Sequence, residues 1–337
     1  MNQPRGPYPD AQSQPERDVK IGVIVPAYEA EPTIGACLDG LLAAGFSVGD
    51  ITVVDDGSRD RTAQIVRGRG IQPICQPNQG AARARNAGAE ASQGEILFFV
   101  DSDVVVHADV RTRLERFFSD HPDHAGLFGS YDDAPPAPPR VSRLRNLLHH
   151  HVHQRAAGAA STFWTGCGAL RRHDFDRAGG FRTEEQMIED VGLGLRLARL
   201  GRPVMLVPDL LCTHLKSWGW RDFAKTDYRH RAQPWTRMMR DPANGDLAHA
   251  LNAGARGKAA VIAVGFSLLS LPLAVVAPWA GIALGLLALA ALVGLEWRFL
   301  ELVRHRLGQA DAALAVAMLW VHYLAAGAGY ARVRLFG

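Results

Sequence analysis

Ile96-Leu97-Phe98-Phe99-Val100 runs straight into Asp101-Ser102-Asp103. Five consecutive apolar residues predict a strand buried on both faces. Two carboxylates, one residue apart where that strand ends, bring hard oxygen ligands to the crevice where open α/β sheets bind their ligands. Such a pair suits Mg²⁺ or Mn²⁺ held together with a substrate diphosphate. The same triplet is common in solvated turns, so the flanking chain has to decide.

Upstream, strand and helix signals alternate. Val19–Val25 predicts a strand stopped by Pro26, and Glu31–Ala44 a helix with Ile34, Leu38, Leu41 and Leu42 at helical spacing. Ile51–Val54 and Ile71–Gln76 predict strands, with a helix over Arg61–Arg69 between them and an Ala-rich helix over Gly80–Ala91 after. Downstream of the triplet, Val110–Phe118 predicts the next helix. This order predicts an α/β fold, a mainly parallel sheet with helices on both faces. Beyond it come a Pro-rich loop (Asp132–Arg140), a helix (Val141–Arg155), a short strand within Thr162–Arg171, a helix with a leucine stripe (Glu189–Leu200) and a strand (Pro203–Val207).

The 337 residues allow one large domain and an appendage. A net charge of +3, from 37 basic and 34 acidic side chains, gives no basis for nucleic-acid binding. Cys37, Cys75, Cys167 and Cys212 are widely spaced with no CxxC pair, against a zinc ribbon or disulfide framework and in favour of reduced thiols in a cytoplasmic compartment. Residues 1–18 are rich in Pro, Gln, Arg and Asp and lack the apolar core of a signal peptide, which predicts a disordered lead-in.

The domain plan is then a lead-in (1–18), a catalytic domain (19–240), a linker (241–258) and a transmembrane region of two to three helices (259–331). Ala259–Ala277, Trp279–Trp297 and Ala312–Tyr330 are each long enough to cross a bilayer. Arg298–Arg306 suits an interfacial helix. Arg256, Lys258, Arg304 and Arg306 fit the cytoplasmic side. Three spans put Arg332 and Arg334 outside, whereas a re-entrant third stretch does not. A cut near Lys258 is expected to release a soluble domain.

Several residues carry candidate chemistry. Asp55 and Asp56 follow the second strand and can accept from a base or ribose, or close an Asx turn with Gly57-Ser58. Pro26, Tyr28 and Glu29 leave the first strand into the same crevice, where Tyr28 can stack on a base or pack on the rim. Gly80 opens a helix bearing Arg83 and Arg85; two positions apart, at most one of these arginines faces a phosphate. Glu189 and Asp190 start a helix, where acids cap ordinarily and where Asp190 can also serve as a general base. His214 can complete a metal shell or be structural. His149, His150, His151 and His153 read as a surface or interface feature in which only His149 and His153 share a helix face.

Jointly these residues resemble family 2 glycosyltransferases of the GT-A fold, from about Val19 to Trp235. The resemblance rests on Val23-Ile24-Val25-Pro26-Ala27-Tyr28, Val53-Val54-Asp55-Asp56-Gly57-Ser58, Asn78-Gln79-Gly80 through Ala84-Arg85-Asn86-Ala87-Gly88, Phe99-Val100-Asp101-Ser102-Asp103, Gly179-Gly180-Phe181 and Glu189-Asp190. It implies a nucleotide-diphospho-sugar donor, a divalent cation (Mg²⁺ or Mn²⁺) and inversion at the anomeric carbon. Pro26, Tyr28, Glu29, Asp55, Asp56, Gly80, Arg83, Asp101 and Ser102 would hold the donor. Asp103, with Asp101 and His214, would hold the metal, and Asp190 would be the base.

Processive synthases carry Gln-x-x-Arg-Trp; here the chain reads Arg229-His230-Arg231-Ala232-Gln233-Pro234-Trp235. Single transfer to a lipid or other hydrophobic acceptor at the cytoplasmic face of the cell (inner) membrane is therefore expected over polymer elongation. Glu189, Trp218, Arg229, Arg231 and Trp235 are candidates for the acceptor or its phosphate. A non-catalytic membrane scaffold is the other alternative. A dinucleotide-binding oxidoreductase is excluded, because Pro26-Ala27-Tyr28-Glu29 stands where a G-x-G-x-x-G would be needed.

Overall fold

The structure is a computed structural model and describes residues 19–136, 138–185, 187–241, 244 and 254–337. The expected lead-in and most of the expected linker lie outside the described residues.

Among the described residues nine strands form one sheet: β1 (Ile21–Ala27), β2 (Ile51–Asp55), β3 (Ile74–Cys75), β4 (Ile96–Val100), β5 (Val104–Val106), β6 (Gly126–Tyr131), β7 (Gly158–Ala160), β8 (Cys167–Arg171) and β9 (Val204–His214). β3, β2, β1 and β4 are parallel neighbours in that order. β8 then runs antiparallel to β4 and β6, β6 is parallel to β9, and β5 and β7 are antiparallel to β9. The expected α/β sheet is present, with its parallel half at the N-terminal side.

The continuous apolar runs are explained by two cores, one on each face. Val23, Val25, Phe98 and Val100 pack under the helices Ile34–Ala43 and Val110–Asp120. Ile24, Leu97 and Phe99 alternate to the other face, against the helices Ala81–Ala91 and Glu189–Arg199. The Ala81–Ala91 helix lies very close to β1: a Cβ on Gly88 would stand 2.6 Å from Ile24 Cγ2. That contact seats the helix carrying Arg85 directly over the strand ends.

The C-terminal part differs from a simple appendage. The helices Ala255–Val276 and Pro278–Leu295 form an antiparallel hairpin. The following helices, Trp297–Leu307 and Gln309–Phe336, pack into the domain. Phe299, Val303 and Met318 share one core with Leu144 and Leu147 of the helix Arg140–Arg155 and with Phe223 of the helix Trp220–Lys225. A cut near Lys258 would therefore uncover core, contrary to the expectation of a freely soluble fragment. The helices Ala255–Val276, Pro278–Leu295 and Gln309–Phe336 are long and apolar enough to cross a membrane, by length and composition.

Candidate active site

The parallel order places the C-terminal ends of β2, β1 and β4 side by side, so Asp55-Asp56, Tyr28-Glu29 and Asp101 leave the sheet along one edge. With neighbouring strands about 4.8 Å apart, the axes of β2 and β4 stand about 10 Å apart across β1. Asp55 Oδ1 accepts the N–H of Ser58, three residues on, at 3.0 Å, which pins the loop after β2. Asp56 accepts from Gln76 Nε2 (2.6 Å), the Gln79 N–H (2.9 Å) and the Gly80 N–H (2.8 Å). It thereby fixes the loop that feeds the Ala81–Ala91 helix, and keeps at most one of its roughly four acceptor positions for a ligand.

Glu29 adopts a left-handed φ of 48°. Its N–H donates to Ser58 Oγ at 2.9 Å and its Oε1 accepts the Arg59 N–H at 2.9 Å. The loops after β1 and β2 are thus tied together, at the cost of local backbone strain. Tyr28 stands beside them with 53% of its surface exposed, free to offer a ring face.

Arg85 gathers the acids. Its Nη2 lies 2.8 Å from Asp101 Oδ1 and its Nη1 2.7 Å from Glu189 Oε1, with Arg85 and Glu189 both buried. Glu189 and Asp190 open the helix Glu189–Arg199, whose start is preceded by Met187 in a left-handed conformation (φ 69°). Burial, and next the charge of Glu189, push the Asp190 carboxyl up to about 7, with Arg85 opposing them. A carboxylate poised near neutrality beside a cleft is suited to accept a proton.

Asp103 faces His214 at the end of β9, with Asp103 Oδ2 3.6 Å from His214 Nε2. Asn146 Nδ2 donates to the His214 carbonyl at 3.3 Å, which leaves Asn146 Oδ1 to accept from His214 Nδ1–H at 2.7 Å. That bond selects the tautomer whose Nε2 lone pair points toward Asp103. Burial tends to lift the Asp103 carboxyl, but pairing with His214 in its cationic form, and next the charge of Lys216, hold it below its ordinary value; a metal on Nε2 would take the place of that proton. One ionised carboxylate and one oriented imidazole fit Mg²⁺ or, better, Mn²⁺, with substrate oxygens completing the shell. Among the described residues, no group of three or more His, Cys, Asp or Glu side chains forms a metal cage by itself.

Behind His214 stands an aromatic wall. The Tyr131 ring stacks on His214, with centroids 4.3 Å apart and 9° between planes. His149 packs on Tyr131 (4.3 Å), on His153 (3.9 Å) and on Trp164 (4.7 Å). His150 and His153 donate through Nδ1 to the carbonyls of Tyr131 and Gly129. Burial holds His149 well below its ordinary range and His153 down to about 4, so both are neutral. His153 is buried and His149, His150 and His151 are half-buried, so the cluster is not the solvated surface that was one of the two expectations; His149 and His153 do share a face, and it is turned toward Trp164.

Residues 22–179 match the model of glycosyl transferase family 2. This stretch, a little under half of the chain, is similar to family 2 glycosyltransferases. Similar proteins include the "uncharacterized glycosyltransferase EpsJ" of Bacillus subtilis, 38% identical over 99 residues, which are 28% of this chain and 29% of EpsJ. Glycosyltransferase GlyA of Streptococcus pneumoniae is 34% identical over 124 residues, 35% of this chain and 18% of GlyA. The aligned stretches thus span less than a third of these relatives' own lengths. The fold is similar to that of mannosyltransferase PcManGT from Pyrobaculum calidifontis, solved with GDP-Man and Mn²⁺ (TM-score 0.60, 18% identity, 98% of this chain and 91% of that one). Asp190 and His214 lie beyond the segment that the family model matches.

Within the glycosyltransferase domain the remaining candidates separate. Arg85, not Arg83, takes the place beside the acids; Arg83 is exposed and lines a neighbouring cavity of about 360 Å³ with Gln79, Asn86 and Phe181. Pro26 lies within β1, Gly80 caps the arginine-bearing helix, and Ser102 sits in the turn closed by Val104 N–H on the Asp101 carbonyl. Glu189 is committed to Arg85 and not open to an acceptor.

Trp218, a candidate for the acceptor or its phosphate, is only 9% exposed and lies against the Arg145 guanidinium, 5.0 Å from the ring centroid. Trp235 packs on Ile188, Leu195 and Met238, supporting the helix of Asp190. Arg229 and Arg231 are both exposed, and the charge of Arg231 is felt by Tyr131, Arg145 and His149. Tyr131 and Asn146 were missing from the candidate site, and Arg85 stood there as the alternative to Arg83. Only Arg85 had a signal, its place in the Arg85-Asn86 motif.

Proposed function

We propose that this protein moves a single sugar from a nucleotide-diphospho-sugar to a lipid or other hydrophobic acceptor at the cytoplasmic face of the inner membrane, with inversion at the anomeric carbon. The observation that carries this reading is the pairing of Arg85 with Asp101 and with Glu189, at the helix start that also carries Asp190, together with Asp103, two residues beyond Asp101, facing His214. Tyr28 and the Asp55–Asp56 turn take the nucleotide. Asp101 and Arg85 flank the ribose and diphosphate.

Asp103 and His214 would hold a divalent cation, Mg²⁺ or Mn²⁺, which would supply positive charge to the leaving diphosphate. That PcManGT is solved with GDP-Man and Mn²⁺ supports this class of donor and this cation. Asp190 accepts the proton of the acceptor hydroxyl as its oxygen bonds to the anomeric carbon and the bond to the diphosphate oxygen breaks. Arg231 and the neutral His149–Tyr131 wall bound the acceptor side. The apolar C-terminal helices hold the cleft near the bilayer, raising the effective concentration of a lipid acceptor.

The test is a panel of nucleotide-diphospho-sugars with Mn²⁺ against the purified full chain in lipid nanodiscs. Binding of one donor class, followed by sugar transfer into the lipid fraction, is expected. Absence of both binding and transfer across the panel refutes the reading.

A further inference from the structure

The three long apolar helices are not equivalent in their surroundings. Leu271, Val275, Trp279, Leu286 and Leu287 of the hairpin Ala255–Leu295 are exposed, and Val276 and Trp279 at its turn reach 85% and 84%. No charged residue occurs from Ala259 to Leu295, while Arg256, Lys258 and Arg298 stand at the two roots. Twenty-two and eighteen helical residues make rods of about 33 and 27 Å, matching a hydrocarbon core of about 30 Å. This surface fits one partner, the lipid bilayer, entered tip first.

The helix Gln309–Phe336 is clasped by the domain along its middle, while Tyr330, Leu335 and Phe336 toward its end are exposed. Leu314, Val316, Leu319, Val321 and Leu324 are all buried or half-buried. Near its start Asp311 lies 3.5 Å from Arg140. At its middle His322 Nδ1 lies 2.6 Å from Asp227, which also pairs with buried Arg145 at 2.9 Å. Further on, a Cβ on Gly329 would stand 2.5 Å from the Ala232 Cβ, and near the end Arg240 Nη1 donates to the Val333 carbonyl at 2.8 Å. Asp311 and Val333 are about 33 Å apart along the helix axis, a full membrane thickness. Both touch the glycosyltransferase domain, through elements carrying Arg140, Arg145, Arg237 and Arg240. Crossing the bilayer would drag those arginines into hydrocarbon, at several kcal/mol each. The opposite side of the same helix meets the hairpin through Trp320 Nε1, which donates to Ser267 Oγ at 2.8 Å, and Tyr323 O–H, which donates to Glu296 at 2.8 Å.

We infer that the chain crosses the membrane twice, as the hairpin Ala255–Leu295, and that Gln309–Phe336 is an internal strut between hairpin and catalytic domain, leaving the C-terminus on the catalytic side. Arg332 and Arg334 then lie with the other basic residues, in accord with the positive-inside rule. This inference uses the membrane reading alone and is independent of the sugar-transfer chemistry.

Exposed Cys75, the other three cysteines being buried, marks the catalytic side when sealed inside-out and right-side-out vesicles are treated with a membrane-impermeant maleimide. In a Cys75→Ser background, Gly337→Cys is expected to label from the side that labels Cys75 in the parent. Ala277→Cys, at the hairpin turn, is expected to label only from the opposite side. Labelling of Gly337→Cys from the opposite side, or failure of Ala277→Cys to label there, overturns the inference. Protease access to a C-terminal epitope on the otherwise unaltered chain gives a second answer: cleavage from the catalytic side supports it, cleavage from the other side refutes it.

Discussion

Arg85 Nη1 lies 2.7 Å from Glu189 Oε1, joining residues 104 positions apart in the chain. The other arm of the same guanidinium holds Asp101. Removing it leaves a buried carboxylate without its counter-charge. Arg85→Met should lower unfolding stability by about 3–5 kcal/mol, read by denaturant titration. An unchanged midpoint would show that the bridge is dispensable.

Asp190 gives a pH signature. Only its ionised form accepts a proton, and the carboxyl is pushed up to about 7, first by burial and then by Glu189. Ionisation grows as pH rises, so kcat/KM should increase roughly tenfold per unit below about pH 7 and level off above it. Asp190→Asn should lower turnover by about 10²–10⁴-fold with donor binding kept. A flat profile between about pH 5 and 8 would remove Asp190 from the role.

The tautomer of His214 is set by Asn146 and its ring plane by Tyr131. Asn146→Leu should weaken Mn²⁺ binding in the presence of a nucleoside diphosphate by about 10–100-fold, measured by paramagnetic resonance titration. Excess EDTA should abolish transfer and added Mn²⁺ restore it. Equal Mn²⁺ affinity in variant and parent would show that the imidazole needs no second partner.

The first strands and the acids at their ends were legible because each depends on local pattern: a short apolar run followed by Asp or by Pro-Ala-Tyr. β6 was not, since Gly126–Tyr131 carries two glycines in a six-residue strand, and the second of them is required by a neighbouring chain. A Cβ on Gly129 would stand 2.0 Å from the Leu210 carbonyl oxygen. Arg83 and Arg85 were indistinguishable by composition; which one turns inward depends on how Gly88 seats the helix on Ile24. The histidine cluster looked like surface because four imidazoles suggest water, yet the wall formed with Tyr131 and Trp164 buries His153 and half-covers His149. Burial of Trp218 depends on Arg145, 73 residues earlier, which sequence spacing does not reveal.

The shared core of Leu144, Leu147, Phe223, Phe299 and Met318 makes the C-terminal helices part of the fold. A chain ending at Gly257 should expose that apolar face and aggregate, seen as loss of the monodisperse peak in size-exclusion chromatography in mild detergent. A stable monomer with a cooperative melt would show the domain to be self-sufficient.

Because the strut between Asp311 and Val333 grips both the hairpin and the domain that houses Asp190, the cleft has a set elevation and tilt above the lipid plane. Selection among acceptors then becomes partly a matter of altitude. A hydroxyl or phosphate that protrudes too little or too far from its leaflet never meets the reacting carbon, however well its shape would suit the pocket.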